Sequence, residues 1–219
     1  MEKTPPHAVE MDKEEAQAPE AQDEAQGRKA LAVLKRFMLG AIRSGMVFVY
    51  PTDTVYGLGC DARNAKAVAR LRRIKKKKGP LSVIAPSKAW IAENCAVGKE
   101  AGAFIARKMP GSVTAILPLR RRSAVARNVC GCTTHASACV KQTLGVRIPK
   151  HWVAAVVRTA GTPVVTTSAN VSGGKIMRKM EELDVRIRRE ADLIFFDGAC
   201  RGKPSQMVEF SGARPRILR

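Results

Sequence analysis

Aromatic residues are scarce in this chain: 2 Trp, 2 Tyr and 6 Phe among 219 residues, 5% of the total. So few rings argue against a protein that stacks single-stranded bases on an aromatic platform. Long apolar runs are missing as well; none approaches the roughly 18 residues of a membrane-spanning helix. The amino-terminal stretch has neither the basic nor the apolar region of a secretion signal, and it is too acidic for an organellar transit peptide. A cytoplasmic location with no membrane partner is therefore expected. Three signatures of nucleotide and nucleophile sites are absent: the phosphate loop Gly-x-x-x-x-Gly-Lys-Ser/Thr, the dinucleotide fingerprint Gly-x-Gly-x-x-Gly, and the elbow Gly-x-Ser-x-Gly. Six cysteines in a chain this long do not make a secreted disulfide framework. A chain of this length buries roughly 70% of its unfolded surface on folding, enough for a core without disulfides or metal.

Negative charge is also in short supply, and much of it sits at one end. Residues 1–27 hold Glu2, Glu10, Asp12, Glu14, Glu15, Glu20, Asp23 and Glu24 against Lys3 and Lys13 only. That stretch is rich in Ala, Gln and Pro and has no aromatic residue, which predicts a disordered acidic tail. The whole chain carries +20, and residues 28–219 carry 37 basic against 11 acidic residues, or +26. Such a surplus favours anionic partners: nucleic acid, nucleotide phosphates or an anionic surface.

The apolar pattern predicts one α/β domain over residues 28–219. Leu31, Leu34, Met38, Ala41 and Ile42 make the apolar stripe of a helix over 29–43, ended by Ser44-Gly45. Residues 46–50 read as a strand buried on both faces, followed by a loop. Asn64 is placed to cap a second helix running to about Ile74. Strands are predicted over 81–85, 112–119, 144–148, 163–166 and 193–196, with two short ones near 207–210 and 216–218. Helices are predicted from Ser87, over 99–108, over 151–160 and over 179–189. Strands and helices alternate without a strict rhythm, which favours a twisted mixed sheet over a doubly wound parallel one.

Three stretches follow these elements with polar or basic residues. Pro51-Thr-Asp-Thr-Val-Tyr-Gly-Leu58 gathers two hydroxyls, a carboxylate and a phenol, and it also reads as a tight turn with Asp53 capping amides. Arg72-Arg-Ile-Lys-Lys-Lys-Lys-Gly-Pro80 has six cations in nine residues, suited to a triphosphate or to a solvated helix end. Val164-Val-Thr-Thr-Ser-Ala-Asn-Val-Ser-Gly-Gly174 runs from an apolar strand into a loop able to aim hydroxyls and N–H groups at an anion.

These stretches, with Met109-Pro-Gly-Ser-Val-Thr114, Gly145-Val-Arg-Ile-Pro149 and Pro215-Arg-Ile-Leu-Arg219, stand in the order of the YrdC family, which the chain resembles from about residue 30 to its end. The resemblance implies a YrdC-like catalytic domain: a twisted mixed α/β sheet with helices around a large basic concave cavity. It implies a nucleotidyltransferase that joins L-threonine, bicarbonate or CO2, and ATP into threonylcarbamoyl-AMP, releasing pyrophosphate. Mg2+ is the expected cofactor, bridging the ATP phosphates. A downstream transferase complex would pass the product to tRNA, and the longer members' additional C-terminal domain is expected to be missing.

By position, the resemblance puts Thr52, Thr54, Tyr56 and Arg147 at the threonine and carbamate. It puts Ser168, Asn170, Ser205 and Arg219 at the nucleotide, with Gln206 where the family has threonine. The family's Lys-x-Arg pair has two readings here. Counted back from Pro80 it falls on Arg73 and Lys75; if the loop is two residues shorter, it is Lys75 and Lys77. Either way a lysine loses arginine's bidentate fork. Lys75, Lys77, Ser168 and Asn170 are the expected catalytic group. Cys130, Cys132, His135 and Cys139 present zinc-type ligands at non-standard spacing, and they read equally as a Cys-rich loop without metal. A contrasting reading is an RNA-binding protein that uses the basic cavity for tRNA or double-stranded RNA without making an adenylate.

Overall fold

The computed structural model describes residues 7–9, 20–132, 142–212 and 214–219. The predicted stripe Leu34, Met38, Ala41 and Ile42 forms the buried face of α1 (Glu20–Arg43). Gly45 ends this helix with φ +68°, giving its N–H to Ile42 while Met46 N–H reaches Ala41 O at 3.0 Å. The left-handed φ is the reason for glycine there.

The expected disordered tail is corrected at two places. α1 begins at Glu20, nine residues before its predicted start, because Glu20-Ala-Gln-Asp-Glu-Ala-Gln are mostly good helix formers. His7–Val9 form β1, added in parallel to the strand at Leu193–Phe195. Residues 1–6 and 10–19 lie outside the described residues.

The predicted strand after α1 is β2 (Phe48–Tyr50), wholly buried. β3 (Gly57–Gly59) falls where the sequence predicts only loop. Gly-Leu-Gly carries no strand propensity of its own. It lies in the sheet because the Tyr50 ring occupies the space that side chains would take. A Cβ on Gly57 would sit 2.8 Å from Tyr50 Cζ, and one on Gly59 would sit 2.7 Å from Tyr50 Cε1. The chain continues through α2 (Ala65–Lys75), β4 (Ser82–Ile84), α3 (Lys88–Asn94), α4 (Lys99–Lys108), β5 (Val113–Pro118), β6 (Gly131–Cys132), β7 (Gln142–Arg147), α5 (Val153–Ala160) and β8 (Val164–Ser168). It ends with α6 (Val185–Glu190), β9 (Leu193–Phe195), β10 (Gln206–Glu209) and β11 (Arg216–Ile217). The predicted helix over 179–189 is broken into a 3-10 turn at Met180–Glu182 and α6, with Asp184 capping α6 through Arg186 N at 2.8 Å.

The strands form one mixed sheet in the order β1-β9-β2-β3-β8-β4-β7-β5-β10-β11, with β6 alongside β7. Parallel pairs (β9 with β2, β4 with β7, β5 with β10) are interspersed with antiparallel ones (β2 with β3, β3 with β8, β8 with β4, β5 with β7). One face carries α1 and α5, packed over Phe48, Tyr50, Ile84, Val164 and Phe195. A larger core built on Val68, Leu71, Val83, Ile105, Leu117, Val146 and Ile187 unites the other elements. No described helix is long and apolar enough to cross a membrane.

Asn64 caps α2 as its sequence position suggests, accepting from Lys66 N and Ala67 N at 3.1 Å each. Asn64→Ala should lower unfolding free energy by about 1 kcal/mol. Urea titration of the two proteins measures this, and an unchanged midpoint would remove the cap from the fold's stability.

Candidate functional site

The ends of several strands and the last turn of α2 meet around a cavity of about 350 Å3. Ten residues singled out from the sequence line it: Thr52, Thr54, Tyr56, Lys75, Lys77, Arg147, Ser168, Asn170, Ser205 and Arg219. Four of these are cations, and no Asp or Glu side chain is among the lining residues. Arg73 is the exception among the sequence choices. It lies outside the lining, with its side chain 68% exposed and 4.0 Å from Glu190. The structure thus brings together Lys75 and Lys77, the pair of the shorter-loop reading, and turns Arg73 away.

Lys75 is the last residue of α2 and is only 3% exposed. Its Nζ donates to Ser168 O at 2.6 Å, Asn170 O at 2.8 Å and Asn170 Oδ1 at 3.1 Å. Ser168 Oγ donates to Asn170 Oδ1 at 2.5 Å, and Asn170 Nδ2 donates to Gly174 O at 2.7 Å. The ammonium therefore holds the shape of the Ser168–Gly174 loop while adding its charge to the cavity wall. Burial, and secondarily the charge of Lys77, pushes its pKa down from 10.5 to about 8.

Arg147 projects from the end of β7. One guanidinium nitrogen donates to Thr54 Oγ1 at 3.0 Å and the other to Asp53 Oδ1 at 2.5 Å; Nε is buried with no protein partner among the described residues. Asp53 Oδ2 accepts from Lys150 N at 3.0 Å, so this carboxylate caps a distant segment as well as pairing with Arg147. Thr52 Oγ1 donates to Val55 O at 2.7 Å, so its 2.9 Å contact with Thr54 has the Thr54 hydroxyl as donor. A directed chain results: Arg147 to Thr54, Thr54 to Thr52, Thr52 to the Val55 carbonyl.

Tyr56 contributes its ring rather than its hydroxyl. Oη donates to Gly198 O at 2.6 Å and accepts from Asp197 N at 3.0 Å, and the ring stacks on Phe196 at 5.6 Å. Burial raises this phenol to about 12. Ser205 exchanges a hydrogen bond with Thr114 at 2.9 Å, and Arg219 Nε donates to Ser205 O at 3.2 Å. Sequence reasoning missed Ser82, Thr114, Ile176 and Met207 as cavity lining. Each lies in a strand or loop whose apolar or small-residue pattern reads equally well as core.

No Asp or Glu side chain lines the cavity, and both oxygens of Asp53 are already taken. No group of three metal-ligating side chains occurs among the described residues. Of the cysteine cluster, Cys130 is a half-buried free thiol that burial raises to about 11. His135 and Cys139, and the side chain of Cys132, lie outside the described residues.

A family model described as Sua5/YciO/YrdC, telomere recombination, matches residues 40–219. A putative threonylcarbamoyl-AMP synthase of Methanocaldococcus jannaschii is 29% identical over 190 residues, 85% of this chain and 83% of that protein. The threonylcarbamoyl-AMP synthase of Halorhodospira halophila is 36% identical over 152 residues, 68% of this chain and 74% of that protein. The crystal structure of P. abyssi Sua5 complexed with L-threonine superposes with a TM-score of 0.74 at 27% identity, covering 84% of this chain. This chain spans 53% of that longer one.

The Lys75 geometry yields a pH dependence. The folded chain releases this proton near pH 8 and the unfolded chain near 10.5, so in that window deprotonation favours the fold while removing one charge from the cavity. Affinity for sulfate, whose own charge is constant across this range, should therefore fall as pH rises through about 8. Calorimetric titration from pH 6.5 to pH 9.5 tests this; a flat profile would mean that the Lys75 charge plays no part in anion binding.

Proposed function

The chain belongs to the Sua5/YciO/YrdC family, and from that premise we propose that it is a threonylcarbamoyl-AMP synthase acting in tRNA modification. The observation that carries the reading is the convergence of Lys75, Lys77, Arg147 and Arg219 on one cavity lined with hydroxyls and without an Asp or Glu side chain. Such a wall suits a polyphosphate together with an amino acid's carboxylate.

The reaction needs no protein nucleophile. The amine of L-threonine adds to CO2 drawn from bicarbonate, giving a carbamate and releasing a proton. A carbamate oxygen attacks the α-phosphorus of ATP, the bond to the β-phosphate breaks, and pyrophosphate leaves. The protein's task is to align three reactants and to offset charge on the phosphoryl oxygens. Arg147, held by Asp53 and Thr54, presents its remaining N–H groups to the threonine carboxylate. Val55 and the Tyr56 ring form the wall beside it. Lys77 and Arg219 face the phosphates, and Lys75 keeps the Ser168–Gly174 loop in place behind them. Mg2+, when bound with ATP, would offset negative charge on the phosphates.

An adjoining cavity of about 450 Å3 shares Pro80, Leu81, Ser82 and Met207 with the first and adds Ile116, Glu209, Arg216 and Leu218. Together the two give room for a nucleotide beside an amino acid. The product, a reactive mixed anhydride, would pass to a separate transferase that modifies tRNA.

Incubation with ATP, L-threonine and bicarbonate should release pyrophosphate only when threonine is present. No threonine-dependent release, together with salt-sensitive tRNA binding, would favour the RNA-binding reading instead. Asn170→Ala removes the acceptor shared by Lys75 and Ser168, and should cut kcat/KM about tenfold or more while the protein stays folded. Ser168→Ala should cost less, since its hydroxyl serves Asn170 alone at short range. Full activity in both variants would take the Ser168–Gly174 loop out of the mechanism.

A further inference from the structure

The Lys76–Gly79 turn joins α2 to β4 and carries three lysines in a row. Like charges on adjacent side chains push such a turn open. Lys76 also holds a left-handed φ of +53°, a conformation that glycine or asparagine normally takes at a helix end. Neither the sequence of the turn nor its charge explains why it closes.

Arg72 supplies the explanation. It lies one turn back on α2, outside the cavity lining. Its Nη1 donates to three successive carbonyls, Lys77 O at 2.9 Å, Lys78 O at 3.2 Å and Gly79 O at 2.8 Å. Its Nε donates to Asn128 O at 2.7 Å. Its own carbonyl accepts Lys77 N at 3.1 Å. The Asn128 segment is tied down in turn, since Asn128 Nδ2 donates to Ala65 O and Leu81 N donates to Val129 O. The carbonyls of the turn thus converge on one cation, and the turn's backbone is pinned to α2 and to the 128–129 segment. Of the three lysines, Lys77 is the one that reaches the cavity.

We propose that Arg72 is a positioning residue for the nucleotide phosphates, fixing the Lys76–Gly79 turn so that Lys77 faces the cavity. The inference rests on the adenylate-synthase reading for its substrate but not for its geometry. A lysine at position 72 keeps the charge but loses the planar fork that reaches Asn128 and the turn together.

A double-mutant cycle tests the assignment on the full chain. Arg72→Lys, Lys77→Ala and the pair are compared for KM and kcat, and for binding of inorganic tripolyphosphate by calorimetry. Arg72→Lys should raise the KM for ATP and weaken tripolyphosphate binding about tenfold each, with the KM for threonine unchanged. In the Lys77→Ala background the same change should have almost no further effect, because there is no longer a charge to place. Effects that multiply, or an unchanged KM for ATP in Arg72→Lys, would overturn the proposal. If wild type binds tripolyphosphate with this coupling but releases no pyrophosphate with threonine, the adenylate-synthase reading fails and the role of Arg72 stands. Should Arg72→Lys not fold, Arg72→Gln carries the same cycle.

Discussion

A single buried ammonium organises the cavity. Lys75 reaches from the end of α2 to the turn after β8 and donates to the carbonyls of Ser168 and Asn170 and to the Asn170 side chain. The return contact is made by the backbone, where Ser172 N donates to Lys75 O at 2.9 Å. Burying a cation carries a large desolvation cost, met here by a full set of oxygen partners. The cost remains visible as the lowered pKa. Removing a partner would leave charge without compensation, so the loop after β8 is locked to the helix in one arrangement. An anion entering the cavity relieves the same strain, since it lends negative charge where Lys75 and Lys77 repel one another. Loop geometry and anion affinity are therefore two consequences of one contact.

The opposite wall follows a similar rule with the signs exchanged. Asp53 collects Arg147, Lys150 N and, at 3.4 Å, Ser112 Oγ, fixing three chain segments around one carboxylate. Close backbone approach does the rest. Gly57 and Gly59 accept the Tyr50 ring, and a Cβ on Gly202 would fall 2.7 Å from Thr54 Cα. Glycine is required at these positions by contact with the site's own loop. The cavity is thus bounded by backbone packing and saturated hydrogen bonds, which leaves few ways for it to relax.

Most strands and helices were legible because their apolar residues follow simple periods, and β2, α2, β5 and the end of α1 fall close to their predicted places. β3 was not, since Gly57-Leu-Gly59 becomes a strand only through the ring of Tyr50 on the neighbouring strand β2, opposite Gly57. The helical start at Glu20 was hidden by acidic composition, which lowers hydrophobicity without lowering helix propensity. Site residues carried by motifs were found together. The choice between Arg73 and Lys77 depends on the length of the basic loop, which spacing alone left open; of the two, Lys77 lines the cavity and Arg73 does not. Arg72 gave no signal, because an arginine on an exposed helix end reads as solvated charge until its acceptors are seen.

The charge surplus divides into two populations that act over different distances. Several of the acids in residues 28–219 are engaged away from the cavity: Glu93 with Arg121, Asp192 with Arg70, Glu190 with Arg73 and Arg186, Glu182 with Lys175. Asp53 pairs with Arg147 behind the site. Screening at physiological salt acts over about 8 Å, so surface cations such as Arg120 and Arg122 contribute little to the field inside. The affinity of the cavity for an anion depends on Lys75, Lys77, Arg147 and Arg219, in a space partly shielded from water where each charge counts for more. The remaining positive surface governs approach, by drawing polyanions toward the molecule at low salt and losing that reach as salt rises. The total charge therefore predicts how fast anionic partners arrive, and the four inward cations determine which of them stays.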